Sequence, residues 1–276
     1  MARQEPGDAE YVLGASEQEQ ERLRAQGDAV GPMTERLLVQ AGIGPGMKVL
    51  DVGCGSGDVS LLASRLVGAE GRVVGIDREP RMVAAERDRS RTSDLSGVSF
   101  IEGDFRELGT EHGLFDAAIG RLVLMYQADP VDAVRRLAQS VRPGGVICFQ
   151  EYDSTVAPAS LVPLPLHELV RSWIWGTLER SGADAQIGFK LYSVLTEAGL
   201  SVPEVRAEAI VQTPSTRYPT VPLIRVLLPR MIEYEIATEA DVDVETLERR
   251  LVEERQKAGT SYIGQVVFGA WAHRPS

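Results

Sequence analysis

The 276-residue sequence is poor in the residues that build metal and disulfide sites. It has two cysteines, Cys54 and Cys148, and three histidines, His112, His167 and His273. Two cysteines make no disulfide framework, and the histidines stand singly, so no metal site is expected. Lysine is scarce beside arginine: only Lys48, Lys190 and Lys257 stand among the 29 basic residues, a bias that fits a GC-rich bacterial genome and specialised metabolism. A basic face is missing too. The net charge is −11, and the positive residues are interleaved with acids, as in Arg87–Asp88–Arg89 and Glu248–Arg249–Arg250. A nucleic acid or an anionic membrane is therefore not expected as a partner, and a small neutral or cationic molecule fits better. No apolar run approaches the ~20 residues of a membrane span. The opening MARQEPGDAE lacks the basic-then-apolar order of a signal peptide, which points to a cytoplasmic protein.

What the sequence does have is a regular alternation. Ser16 followed by Glu19 fits a capping box opening a helix, and a second helix is expected over 29–42. Strands are then predicted at 47–52, 72–77, 98–103, 114–120 and 146–152. Helices lie between them, among them 59–67, one starting near Pro80, and one opened by Asp129–Pro130. Strands alternating with helices imply βαβ units, and their continuous apolar character implies a sheet covered on both faces. Beyond Asp153 the rhythm breaks. Helices are expected around Trp173 and Trp175 and over 191–200, a strand over 201–212, two helices within 220–256 and a last strand over 262–274. The expected fold is α/β: a doubly wound, mostly parallel, seven-stranded Rossmann-like sheet. N-terminal cap helices occupy 1–44, the ligand-binding core 45–153, and the sheet completion with helical lid insertions 154–276, all in one structural domain.

The informative segment is VLDVGCGSGDVSLLA (49–63). Gly53, Gly55 and Gly57 turn the chain from a strand into a helix, where glycine reaches positive φ at little cost and lets a ligand approach the backbone. Such a loop at the carboxyl end of the first strand is where doubly wound sheets bind ligands. Asp77 ends the second strand, where a carboxylate can accept both hydroxyls of a ribose. That much fits any adenosine ligand, NAD included. The dinucleotide fingerprint would put a third small residue at 58, yet that residue is Asp58, whose charge would repel a pyrophosphate. A G-x-G-x-G spacing preceded by Asp51 suits a ligand with an ammonium and a sulfonium.

DVGCGSG resembles the first motif of class I S-adenosylmethionine-dependent methyltransferases. GIDREPRM (75–82) is similar to the second motif, which implies that Asp77 holds the ribose and that Arg78 and Met82 border the adenine. EGDFREL (102–108) is similar to the third, which implies adenine contacts from Gly103, Asp104 and Phe105, with Asp104 taking the exocyclic amine. FDAAIGRLVLMYQADP (115–130) resembles the fourth, with Arg121 at the methionine end. VRPGGVICFQE (141–151) resembles the turn and strand that follow. The N-terminal segment 11–26 is similar to bacterial ubiquinone-methyltransferase-like enzymes, whose cap would place Tyr11 and Met33 near the cofactor. The resemblance implies S-adenosylmethionine as cofactor, S-adenosylhomocysteine as product and a small methyl acceptor. Relatives often carry histidines in a V-L-H-H pattern where this chain has Val123–Leu124–Met125–Tyr126, so a histidine base is absent there.

Around the acceptor, Glu151 and Tyr126 are the candidate catalytic groups, and Tyr126, Glu151, Asp153, Trp173 and Trp175 the candidate substrate contacts. Glu151 and Asp153 could equally cap a neighbouring helix, and Trp173 and Trp175, two apart on a helix, do not share a face. Leu161, Leu164, Tyr218 and Leu223 add apolar surface in the same region, pointing to a hydrophobic acceptor. Two other readings stay open: a protein of this fold without methyl transfer, such as a cyclase or cofactor-binding scaffold, and an NAD-dependent oxidoreductase.

Overall fold

The computed structural model describes residues 8–9, 17–84, 87, 97–109, 112–216 and 218–276. Strands β1 (Lys48–Val52), β2 (Arg72–Asp77), β3 (Val98–Glu102), β4 (Phe115–Arg121) and β5 (Val141–Asp153) pair in parallel in the order β3-β2-β1-β4-β5. β6 (Ala159–Ser160), β7 (Ser201–Gln212) and β8 (Tyr262–His273) complete the sheet. β8 lies antiparallel between β5 and β7 and also pairs with β6, so it runs against every neighbour it has. The seven expected strands are thus present, and an eighth, β6, adds two residues.

Eight helices are assigned bounds: α1 (Glu17–Gln40), α2 (Asp58–Val67), α3 (Pro130–Gln139), α4 (Pro165–Arg180), α5 (Ile187–Glu197), α6 (Thr220–Glu233), α7 (Glu239–Val242) and α8 (Val244–Ala258). Residues 80–84 and 87 are also helical. The two helices expected at the N-terminus are one helix of 24 residues that runs through Pro32. Proline there removes one intrahelical hydrogen bond. Packing outweighs that loss: Val30, Thr34, Leu37 and Leu38 are buried, and tertiary burial sets helix stability more than propensity does. Ser16, the expected cap residue, lies outside the described residues. The opening of α3 follows the sequence closely, since Asp129 accepts the Asp132 backbone N–H and Pro130 takes the first helical position.

Alternation along the strands sorts the core into two layers. Val49, Val73, Ala117, Ile119 and Cys148 pack against Leu37 and Leu38 of α1 and Val59, Leu62 and Ala63 of α2. Leu50, Val52, Ala118, Ile147 and Phe149 belong to the opposite layer with Val134 and Leu137 of α3 and Leu191 and Leu195 of α5. By the same rule Asp51 and Gln150 face α1 and α2. Asp51 accepts from Ser60 of α2 at 2.5 Å, and Gln150 accepts from Thr34 of α1 at 2.7 Å. The strand order reverses direction at β1 and β4, which opens a crevice at their carboxyl ends.

Candidate functional site

A cavity of about 380 Å³ occupies that crevice. At one end its wall is formed by Asp51, Gly53 and Gly55 after β1, Asp77 and Arg78 after β2, Met82, and Gly103 and Phe105 after β3. At the other end stand Met125 and Tyr126, Tyr152, Ile174, Trp175 and Leu178 of α4, and Tyr218 and Leu223.

The glycine loop has the conformation that its composition demands. Gly53, Gly55 and Gly57 have φ of 61°, 49° and 69°, values that a Cβ makes costly. A Cβ on Gly53 would come within 2.7 Å of Val123 Cγ2. Asp77 clamps the loop: one carboxylate oxygen accepts the Gly55 N–H and the other the Glu79 N–H, both at 2.9 Å. Each oxygen keeps a lone pair for a ligand hydroxyl. Beneath the loop, burial pushes the Asp51 carboxyl up to about 7, opposed by the Ser60 hydrogen bond and the charge of Arg121 and reinforced by Asp77 and Asp58. Arg121 lines the same cavity and donates to Thr34 Oγ1 at 3.4 Å.

Several expected residues lie elsewhere. Tyr11 is outside the described residues. Met33 packs against the core and does not line the cavity. Gly57 caps α2 and shapes the loop without reaching the cavity wall. Asp104 is also absent from the wall. It caps the turn Phe105–Glu107, and Arg106 holds its carboxylate at 2.6 Å, with Arg78 at 3.3 Å. Burial alone would raise its pKa, yet the Arg106 hydrogen bonds and the nearby Arg78 charge hold it below the ordinary value. An adenine amine would have to compete with a guanidinium for that carboxylate.

The polar residues at the end of β5 divide by face. Glu151 is fully buried and off the cavity wall, its Oε1 accepting the backbone N–H of Val123 and of Leu124. Asp153 is likewise buried away from the cavity and accepts from Thr155 and from the Phe189 N–H of α5. Both are caps, not acceptor contacts. Tyr152, between them, points the other way, towards α1, where Gln26 Nε2 donates to its hydroxyl at 3.3 Å. Trp173 is buried off the cavity and Trp175 lines it, as their spacing required. Leu161 is 90% exposed and Leu164 is buried in the core, so neither adds to the acceptor wall. Tyr126 does line the cavity, but burial raises its phenol well above the ordinary value, which keeps the proton on and disqualifies it as a base near neutral pH.

The sequence did not single out a polar relay at the same end. Glu19 takes two hydrogen bonds from Arg22 at 2.6 and 2.7 Å, and Arg22 donates to Gln26 Oε1 at 2.9 Å. The Tyr152 and Tyr218 hydroxyls are 2.9 Å apart, and Tyr218 reaches Gln265 Oε1 at 3.4 Å. With one direction throughout, each group donates to the next from Arg22 to Gln265. A polar trio Glu19–Arg22–Gln26 at helical spacing was the available signal.

The sequence signature of a methyltransferase domain family matches residues 43–199, more than half of the chain. The chain belongs to the class I S-adenosylmethionine-dependent methyltransferases. This family member is 32% identical over 123 residues to a demethylmenaquinone methyltransferase of Staphylococcus aureus, covering 44% of the chain and 50% of that protein. The chain spans about half the length of the curated relatives it matches. Among solved structures, it is similar to the cyclase SpnF at a TM-score of 0.56 and 20% identity, over 88% of the chain and 80% of the other. It is also similar to geranyl diphosphate C-methyltransferase of Streptomyces coelicolor, at a TM-score of 0.56 and 15% identity over 99% and 92%. These two likenesses show the shared fold.

Proposed function

We propose that this methyltransferase transfers the methyl group of S-adenosylmethionine to a small, largely apolar acceptor. The observation that carries this is one continuous cavity, with a glycine loop and ribose-type carboxylate at one end and an apolar wall from α4 and Leu223 at the other. The residues fit the cofactor. A Cβ on positive-φ Gly55 would make only ordinary contacts, the nearest with Leu23 Cδ1 at 3.7 Å, and Asp77 offers two half-satisfied oxygens. Buried Asp51 would gain from a neighbouring ammonium what it lost in leaving water.

In this reading the Gly53 and Gly55 backbone and Asp77 hold the ribosyl part. Ile76, Arg78, Met82, Gly103 and Phe105 enclose the adenine, and Asp51 and Arg121 face the methionine ammonium and carboxylate. When bound, the cofactor supplies an electrophilic methyl carbon on a sulfonium. The chain's own contribution is alignment and exclusion of water, effects that together can reach ~7–11 kcal/mol. Trp175, Leu178, Tyr218 and Leu223 would hold the acceptor against that carbon. With Glu151 occupied as a cap and Tyr126 protonated, no side-chain base is assigned, which suits an acceptor nucleophilic enough to lose its proton to solvent after transfer.

The NAD reading is weakened by α1. A Cβ on Gly27 would lie 2.8 Å from Asp58 Oδ2, so α1 and a carboxylate occupy the helix N-terminus that a pyrophosphate would need. The likeness to a cyclase is one of fold and does not favour that chemistry. Calorimetric titration with S-adenosylmethionine, S-adenosylhomocysteine and NAD tests the proposal. Saturable binding of the first two without NAD is expected, followed by transfer of labelled methyl in an acceptor screen. Binding of NAD alone would overturn it.

A further inference from the structure

Two side chains that line the cavity each carry a buried polar atom with no hydrogen-bond partner among the described residues. The atoms are Nε1 of Trp175, a donor, and Oε1 of Gln127, an acceptor. The two side chains are 5% and 9% exposed. The Gln127 amide is oriented by its own nitrogen, which donates to the Val123 carbonyl at 3.4 Å and leaves the oxygen unmatched. Buried polar groups are rarely left unpaired, because the lost hydration is not recovered. One unmatched donor and one unmatched acceptor on a single cavity complement a ligand that both accepts and donates. A hydroxyl is the smallest such group.

Charge narrows the class further. Arg22 reaches this end of the cavity already neutralised by the two contacts from Glu19. Arg78 and Arg106 are engaged by Asp8 and Asp104, and the charge of Arg121 acts on Asp51. Of the carboxylates on the wall, Asp51, Asp77 and Glu79 belong to the glycine-loop end, and Asp8 is already held by Arg78, Arg106 and the Ala128 N–H. A carboxylate or phosphate bound beside α4 would leave water without gaining a cation of its own. The rest of that wall is Met125, Ile174, Leu178 and Leu223.

We propose that the α4 end of the cavity binds an uncharged, largely apolar hydroxyl compound, which accepts the Trp175 indole N–H and donates to Gln127 Oε1. This rests on the reading that the glycine-loop end holds S-adenosylmethionine. It assigns the acceptor's recognition group, not the atom that is methylated.

The test uses the full chain saturated with S-adenosylhomocysteine, titrated calorimetrically with 2-naphthol, 2-methoxynaphthalene and 2-naphthoate. The expected order puts 2-naphthol first, with the ether, which cannot donate, weaker by about fivefold to tenfold. The anion is weaker again. Gln127→Leu lowers 2-naphthol to the affinity of the ether and leaves the ether unchanged. Trp175→Phe weakens both, since both accept. S-adenosylhomocysteine affinity and melting temperature report the fold of each variant, and the ranking in the unmodified chain is a test that needs no variant. Equal or tighter binding of 2-naphthoate, no preference for the hydroxyl, no binding of any probe, or a preference that survives Gln127→Leu overturns the proposal. Failure of S-adenosylhomocysteine itself to bind would overturn the underlying reading instead, and the probe ranking is then read without it.

Discussion

Glu151, near the end of β5, holds the backbone N–H of Val123 at 2.9 Å with the same oxygen that holds Leu124 at 2.8 Å. These amides follow Leu122, whose φ of 59° is unusual for a side chain branched at Cγ. The carboxyl thus stabilises the turn that brings Leu122, Val123 and Tyr126 to the cavity wall. Glu151→Ala strands both amides and should cost about 2–4 kcal/mol of stability. Glu151→Gln keeps an acceptor at that place. Its methyl transfer should fall far less than the ~10²–10⁴-fold expected when a general base is removed. A loss of that size with an intact fold would restore Glu151 as the base.

The same carboxyl gives a pH signature. Burial pushes it up to about 8, against the backbone hydrogen bonds that lower it. The folded chain therefore keeps a proton that the unfolded chain releases near ~4.3. For a raised folded pKa the contribution to stability is complete below the unfolded value and is lost as pH rises through about 8. Gln cannot ionise, so Glu151→Gln should gain stability relative to the parent between pH 6 and pH 9, measured by denaturant unfolding. Parallel pH profiles would mean that the carboxyl is already ionised at pH 6.

The last residues of β5 also show how far the sequence could be read. The glycine loop, Asp77 and the parallel strands were legible because they depend on local geometry: positive φ, strand period and turn chemistry. Gln150, Glu151, Tyr152 and Asp153 alternate faces, and the sequence cannot say which face is covered by a helix and which opens on a cavity. The acids looked functional because charge at a ligand-binding edge draws attention. They are buried against α5 and the turn after β4, and the tyrosine faces the cavity. Asp104 was less legible for another reason. Its motif was recognisable, but Arg106 two residues later takes the carboxylate, and that pairing follows from the turn geometry, not from the motif.

Asp77 should be the most sensitive single position for cofactor affinity. Its carboxylate supports the Gly55 and Glu79 amides and is the candidate ribose ligand. Hydrogen bonds to a charged group contribute about 1.5–3 kcal/mol, so Asp77→Asn should weaken S-adenosylhomocysteine about 10–100-fold in calorimetry. Unchanged affinity would place the ribose elsewhere.

Asp51 should make cofactor affinity depend on pH. Its carboxyl, raised by burial to about 7, is mostly protonated at pH 6 and mostly ionised at pH 8. Only the ionised form attracts an ammonium, so S-adenosylhomocysteine should bind about tenfold more tightly at pH 8 than at pH 6. Asp51→Asn should bind more weakly at pH 8 and show a flat profile. A flat profile in the unmodified chain would remove Asp51 from ammonium recognition.

Gly53 and Gly68 separate backbone strain from ligand contact. Both have positive φ, of 61° and 68°, and Gly68 pairs it with a ψ of −169°, which only glycine adopts readily. Alanine at either position should cost about 1–3 kcal/mol for conformation alone. A Cβ at Gly68, the C-cap of α2, meets nothing within 4 Å, whereas at Gly53 it meets Val123 Cγ2 at 2.7 Å on the cavity wall. Val123 cannot retreat easily, because its own N–H is held by Glu151. Gly68→Ala should therefore lose stability and keep S-adenosylhomocysteine affinity, while Gly53→Ala loses both. Measured side by side, equal affinities in the two variants would show that the loop accommodates a side chain at 53, and that the cofactor does not approach the backbone there.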